Sequence, residues 1–122
     1  MIENFDEFTY ELSEEEKKLI PILIKGFQSH DYENPITASE IVLKMNVWLE
    51  SNNFNIKLSE PRLRKCVNYI RSTSIIPLIA TSKGYFVSYD TDIISSQVKS
   101  LTQRANSIYD CAEGLSKFLN KR

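Results

Sequence analysis

The stretch from Leu58 to Tyr89, LSEPRLRKCVNYIRSTSIIPLIATSKGYFVSY, contains a basic helical pattern followed at once by a short hairpin pattern. Ser59 as N-cap with proline in the first turn predicts a helix that runs to about Thr73. The stretch holds five Lys and Arg residues against the single acid Glu60, although the whole chain has a net charge of −1. Positive charge clustered on one element is the electrostatic pattern of a phosphate-binding surface. Nucleic-acid binding is therefore the leading hypothesis.

The predicted basic helix has one apolar stripe and one polar face. Its apolar residues fall together at 100° per residue: Leu63, Cys66, Val67 and Ile70. Arg, Lys and Asn side chains on the opposite face suit the base edges and phosphates of a DNA major groove. Taken alone, such a face is also typical of a solvated surface helix. The DNA contacts predicted for this helix and the hairpin tip are Arg62, Arg64, Lys65, Asn68, Tyr69, Arg71, Ser82 and Lys83.

The hairpin is predicted from two β-rich runs, 75–80 and 85–89, with Gly84 available for a positive φ in the turn. Lys83 lies at its tip, where a cation can contact the DNA backbone and position the helix. Pro77 is expected at the start or the edge of its strand. The hairpin aromatics are expected to pack against the helices.

The first helix is predicted over residues 13–28, because Ser13 and Glu16 form a capping-box pattern before an apolar stripe. Pro21 is expected to make it kink or restart. The acids of residues 1–16, seven in number with no Lys or Arg, have two interpretations. They are a solvated arm whose last acids favour the helix N-terminus, or they imitate phosphate and compete for the basic face.

A second helix is predicted from the Thr37 and Glu40 capping box to about Ser51. Ile36 is expected to enter the core beside the hairpin, and residues 52–55 have the composition of a turn. The residues expected to be buried on this helix are Ile41, Met45, Trp48 and Leu49.

The order of these segments, with ITASEIV, LSEPRLRKCVNYIR and IPLIATSKGYFVSY, resembles the winged helix-turn-helix superfamily. It is similar, more narrowly, to small uncharacterised phage and prophage proteins of Bacteroidetes that end in a helical tail. The resemblance spans roughly residues 13–115 and implies DNA binding by the third helix and the wing. The connection before that helix is longer than the usual tight turn, and the wing is short. Both departures leave room for a winged helix that binds protein.

The last predicted helix begins after Asp90 or Thr91 and carries a heptad seam. Three helices and a hairpin already make a complete winged helix, so the seam is expected to support self-association. Packing against its own domain is the alternative. The predicted oligomerisation residues are Ile94, Val98, Leu101, Ala105, Ile108, Ala112, Leu115 and Leu119.

Composition and length narrow the function classes. The 122 residues, 25% of them charged, predict one ordinary domain: an acidic arm over 1–12, a winged-helix domain over 13–89 and a C-terminal helix over 90–122. No apolar run is long enough to span a bilayer, and a cytoplasmic location is expected. Cys66 and Cys111 are expected to be buried thiols, with no metal site.

An enzyme is not expected, because the sequence has one histidine, no glycine-rich phosphate loop and no nucleophile elbow. No cofactor and no small-molecule substrate are expected. The predicted function is duplex DNA binding by a phage or mobile-element regulator or replication accessory protein. The alternative is a non-catalytic protein-protein interaction module on the same fold.

Overall fold

The computed structural model describes residues 11–120. The chain divides into two compact units, with the boundary between Ser88 and Tyr89. The described part is mainly helical, with one antiparallel two-stranded hairpin and a long C-terminal helix, which confirms the fold class at that level. The elements are α1 (Glu14–Lys17), α2 (Leu19–Phe27), α3 (Ala38–Ser51), α4 (Glu60–Ser72), β1 (Leu78–Thr81), β2 (Gly84–Val87) and α5 (Thr91–Ser116), followed by a 3-10 helix over Lys117–Asn120.

The predicted first helix is divided into α1 and α2. Ser13 and Glu16 form the expected capping box, in which each side chain accepts a hydrogen bond from the other's backbone N–H. Helical structure lapses at Lys18 and resumes at Leu19. Pro21 explains the restart, because it has no N–H to donate to the carbonyl four residues earlier, whereas proline in the first turn of a new helix is harmless. The predicted restart is therefore present, and the break lies at Lys18, before the proline and not at it.

Helix α3 begins at the predicted capping box, and the side chains of Thr37 and Glu40 make both of its hydrogen bonds. Ile41, Met45 and Leu49 are buried, as expected. The prediction for Trp48 is wrong: this residue is 43% exposed. It lies seven residues after Ile41 at the margin of the apolar stripe, where half of the indole faces away from the core.

Two asparagines fix the long connection between α3 and α4. Asn53 has a φ of 62°, and the Phe54 N–H donates to the Leu49 carbonyl, so the helix ends in a left-handed C-terminal turn. The side-chain amide of Asn46 donates to the Leu58 carbonyl at 2.9 Å, and its oxygen accepts from the Leu58 N–H at 2.7 Å. These two bonds fix the chain immediately before α4.

The two hairpin strands are shorter than predicted and pair in the register Leu78 with Val87. Pro77 lies just before β1, because proline cannot donate to the ladder. On the other edge of β2, Ile36 exchanges both backbone hydrogen bonds with Tyr85, at 2.9 and 2.7 Å. The hairpin is thereby joined to the segment before α3, as expected for Ile36.

The core lies between α2, α3, α4 and the hairpin. The predicted apolar stripe of α4 is confirmed, and its four residues are buried. Burial raises the pKa of the Cys66 thiol to about 11, so this thiol is protonated at neutral pH. The largest fully buried side chains are Leu19, Leu23, Phe27, Ile41, Leu49, Leu63, Cys66 and Ile70.

Helix α5 has Asp90 as its N-cap and is about 39 Å long at 1.5 Å per residue. None of its residues is buried, so the prediction of a buried thiol is wrong for Cys111. Leu119 lies in the 3-10 helix that follows. The predicted seam therefore keeps its α-helical spacing only from Ile94 to Leu115.

Candidate nucleic-acid interface

The polar face of α4 points outward because its apolar stripe is packed into the core. Ser59 caps the helix, and its hydroxyl accepts a hydrogen bond from the Arg62 N–H at 3.2 Å. Arg64, Asn68 and Ser72 follow one another at one-turn intervals, and all three are exposed. We call these three residues the outer face of α4. An arginine and an amide one turn apart are side chains that can read guanine and adenine edges.

One edge of the outer face is occupied by a carboxylate from α1. Glu16 is buried, and its Oε2 accepts a hydrogen bond from Arg62 Nε at 2.8 Å while its Oε1 accepts one from Lys65 Nζ at 2.9 Å. Arg62 also donates to the Lys57 carbonyl at 2.7 Å. The side chains of Arg62 and Lys65 remain 37% and 21% exposed, respectively. We call Arg62 and Lys65 the paired edge of α4.

The Glu16 carboxylate is stabilised in its charged form. Burial by itself raises its pKa, but the Ser13 N–H and the hydrogen bonds from Lys65 and Arg62 outweigh burial and lower the pKa from the ordinary 4.5 to about 2. The carboxylate is therefore ionised at neutral pH. One negative charge faces the two positive charges of the paired edge, which leaves an excess of one positive charge there.

The opposite edge of α4 adjoins the hairpin. Burial raises the pKa of Tyr85 on β2, the nearby Arg64 and Arg71 act in the opposite direction, and Glu60 raises the pKa to a smaller extent. Both guanidinium groups therefore lie near the Tyr85 phenol. Among the described residues, no carboxylate forms an ion pair with Arg64. Within the described residues, the charge of Arg64 is consequently not neutralised by direct contact with a carboxylate.

The hairpin tip consists of Ser82 and Lys83, which are both exposed. The Lys83 N–H donates to the Thr81 hydroxyl at 3.2 Å, and that hydroxyl donates to the Gly84 carbonyl at 3.3 Å. Lys83 also lines a shallow groove together with Glu33. No ion pair joins those two side chains within residues 11–120.

The eight predicted contact residues therefore fall into different environments. Arg64 and Asn68 lie on the outer face, and Arg71 is half-buried beside the hairpin. Tyr69 is half-buried and packs against the core, which leaves less of its ring for a ligand. Ser82 and Lys83 lie on the hairpin loop, whereas Arg62 and Lys65 form the paired edge.

The sequence pattern predicts that Glu16 is a local cap and offers a contact between the acids and the basic face as an alternative, but it does not identify the partners 46 and 49 residues away. Glu16 accepts the cap bond and both bonds from α4 at the same time, because one carboxylate has two oxygens and several lone pairs. At this one position the carboxylate both caps α1 and pairs with two cations of α4. The predicted acidic arm over 1–12 lies almost entirely outside the described residues.

A membrane-spanning helix and a metal site are both absent from the described residues. Within residues 11–120, no helix combines the length and the apolar content needed to cross a membrane. The same residues contain no group of three His, Cys, Asp or Glu side chains arranged to hold a metal ion.

Comparisons with protein-family models, curated proteins and solved structures found no match.

Proposed function

We propose that the protein binds duplex DNA, without catalysis, through the outer face of α4 and the hairpin tip. The observation that carries the proposal is Arg64, an exposed guanidinium on α4 without a carboxylate partner among the described residues. Asn68 lies one turn further along the same face. In this arrangement Arg64 and Asn68 contact base edges, and Lys83 contacts phosphate.

The backbone arrangement is compatible with a winged helix. Three helices surround the core, the hairpin follows α4 in the chain, and Ile36 pairs with the outer edge of β2. On this proposal the hairpin is the wing, and the protein acts as a regulator or accessory factor of a phage or other mobile element. The resemblance described above supports that role.

The test is a titration of fluorescent duplex DNA at several salt concentrations. With about three phosphate contacts, made by Lys83 and by the cations that flank the outer face of α4, the affinity falls by roughly 40-fold between 50 and 200 mM salt, since each neutralised phosphate contributes about 0.9 to the logarithmic slope. Salt-independent binding, or no binding at 50 mM salt, would contradict the proposal. The experiment also separates DNA binding from the protein-interaction alternative.

A protein-interaction module is the second candidate, and the exposed apolar residues of α3 favour it. Leu43 and Val47 are 69% and 60% exposed and lie one turn apart. Exposed apolar groups that adjoin one another are typical of protein interfaces. The pairing of Arg62 and Lys65 with Glu16 also reduces the positive charge available to DNA.

We further propose that α5 pairs with α5 of a second copy. Val98, Ile108 and Leu115 are 56%, 68% and 69% exposed, and they belong to a heptad pattern that a partner helix would cover. Ala105 and Ala112 allow close approach of the two helices. A DNA target would then carry two related half-sites.

Light scattering on the full chain tests this pairing. The double substitution Ile108→Asp with Leu115→Asp is expected to convert a dimer into a monomer, because it places carboxylates inside the seam. The matched control is Ser100→Asp with Ser107→Asp, which adds the same charge on another face of α5. A wild-type chain that is monomeric at micromolar concentration would exclude the pairing.

A further inference from the structure

A groove between α2 and α3 has the size and the lining of a small-molecule site. Its volume is about 520 Å³, within the range of roughly 300–1,000 Å³ that is usual for ligand clefts. Ile22, Met45 and Trp48 supply apolar surface, and Met45 is buried in the floor. Gly26 also lines the groove, and a Cβ there would lie in ordinary van der Waals contact with Ile41 Cδ1, at 3.5 Å.

The ionisable groups that line this groove are basic, and the hydroxyl of Ser29, which also lines it, donates to the Gly26 carbonyl at 2.9 Å. Lys25 projects from α2 and Lys44 from α3, so the two walls each contribute one ammonium group. Among the described residues neither lysine forms an ion pair. The capping bonds from Thr37 lower the pKa of Glu40, and the nearby Lys44 and His30 lower it further. Glu40 is not among the residues that line the groove.

His30 lies in the same lining and is oriented by a backbone bond. Its Nδ1 is 2.8 Å from the Asn34 carbonyl, and a carbonyl can only accept, so Nδ1 carries a proton. In the neutral ring, Nε2 is then an acceptor, and in the charged ring it is a second donor. The groove therefore combines an apolar floor with three basic side chains, and none of its lining residues is acidic.

We propose that this groove binds a small amphipathic carboxylate, a molecule with an apolar body and one carboxylate group. The body lies along Ile22, Met45 and Trp48, and the carboxylate pairs with Lys25 and Lys44. A carboxylate is favoured over a phosphate because no arginine is among the lining residues, and Pro21, which lines the groove from the first turn of α2, has no N–H to donate to a phosphate. The inference is independent of DNA binding, since no residue of the outer face of α4 lines the groove.

Trp48 makes the test direct. It is the single tryptophan of the chain and is half-exposed in the groove. Decanoate is titrated into the full-length protein below its micellar concentration, and tryptophan fluorescence is recorded. Decyltrimethylammonium, with a similar alkyl chain and the opposite charge, is the matched probe. We expect saturable binding of decanoate, at least tenfold tighter than that of the ammonium compound.

The double variant Lys25→Gln with Lys44→Gln is expected to lose this tenfold preference while keeping the fold, since both side chains are exposed. The control is Lys99→Gln on α5, which should leave decanoate binding unchanged. Equal binding of the two probes, no saturable response to decanoate, or an unchanged preference in the double variant would each overturn the proposal. A preference for an acidic helical peptide over decanoate would also overturn it and would make the groove a protein interface.

Discussion

The paired edge and the outer face of α4 both carry basic residues, and they differ in what surrounds those residues. Arg62 and Lys65 face a buried carboxylate that binds both, whereas Arg64 is exposed and has no carboxylate partner among the described residues. In the sequence all three belong to one basic helix. Their availability to DNA depends on which segment packs beside them. Positive charge on a predicted recognition helix is therefore an upper limit on the charge that a ligand can use.

The hairpin beside Arg64 depends on Gly84, so its substitution by alanine is the most disruptive test of this comparison. Gly84 has a φ of +130°, and an added Cβ would lie 2.5 Å from the Ile36 carbonyl oxygen. We expect Gly84→Ala to lower the free energy of unfolding by roughly 4 kcal/mol, from backbone strain together with loss of the Ile36 pairing.

Urea unfolding checks this effect, with Ser82→Ala in the exposed loop as the control. NMR spectra of the variant should show shifts around Ile36 and Tyr85 with little change near Glu16. A loss of less than about 1 kcal/mol would mean that the hairpin adjusts without cost and that the Arg64 side of α4 is not rigidly placed.

The paired edge is tested by Glu16→Gln, which removes the carboxylate charge. A pKa lowered from 4.5 to about 2 corresponds to a stabilisation of about 3 kcal/mol, and we expect the variant to lose roughly this amount at pH 7. The folded-state pKa is the lower one, so the stabilisation is complete above pH 4.5. It decreases as the pH falls towards 2.

Urea unfolding of wild type and variant at pH 7, 5 and 3 measures this dependence. The difference between the two proteins should be constant from pH 7 to 5 and smaller at pH 3. Glu15→Gln, an exposed neighbour on α1, is the matched control and should change stability by less than about 0.5 kcal/mol. A difference that does not shrink at pH 3 would show that the carboxylate charge is not the source.

The smallest expected effect concerns DNA affinity and compares the outer face with the paired edge directly. Arg64→Ala should weaken binding about tenfold, or about 1.4 kcal/mol, whereas Lys65→Ala should weaken it less than twofold because Lys65 is held by Glu16. In a Glu16→Gln background the Lys65→Ala loss should approach that of Arg64→Ala. Equal losses of affinity for both substitutions in the wild-type protein would refute the distinction between the outer face and the paired edge.

Local sequence patterns were sufficient to predict much of the secondary structure. Both capping boxes, the Ser59 N-cap and the buried stripe of α4 are present as predicted, and Asp90 is the N-cap of the two predicted for α5, because each feature depends on residues within one or two turns. The strand bounds and the exposure of Trp48 were predicted wrongly. Strand length depends on the pairing partner, and the exposure of a residue at the margin of a stripe depends on how closely the neighbouring helix packs.

In the candidate sites, too, residue order determined some features and tertiary packing decided the others. The sequence by itself determined that α4 is basic on one face, that a lysine lies at the hairpin tip and that α5 carries a heptad pattern, since these follow from residue order alone. Only the tertiary structure decided that Glu16 pairs with Arg62 and Lys65 and that Lys25 and Lys44 line one groove. Those contacts join segments far apart in the chain, and packing of the core alone brings them together.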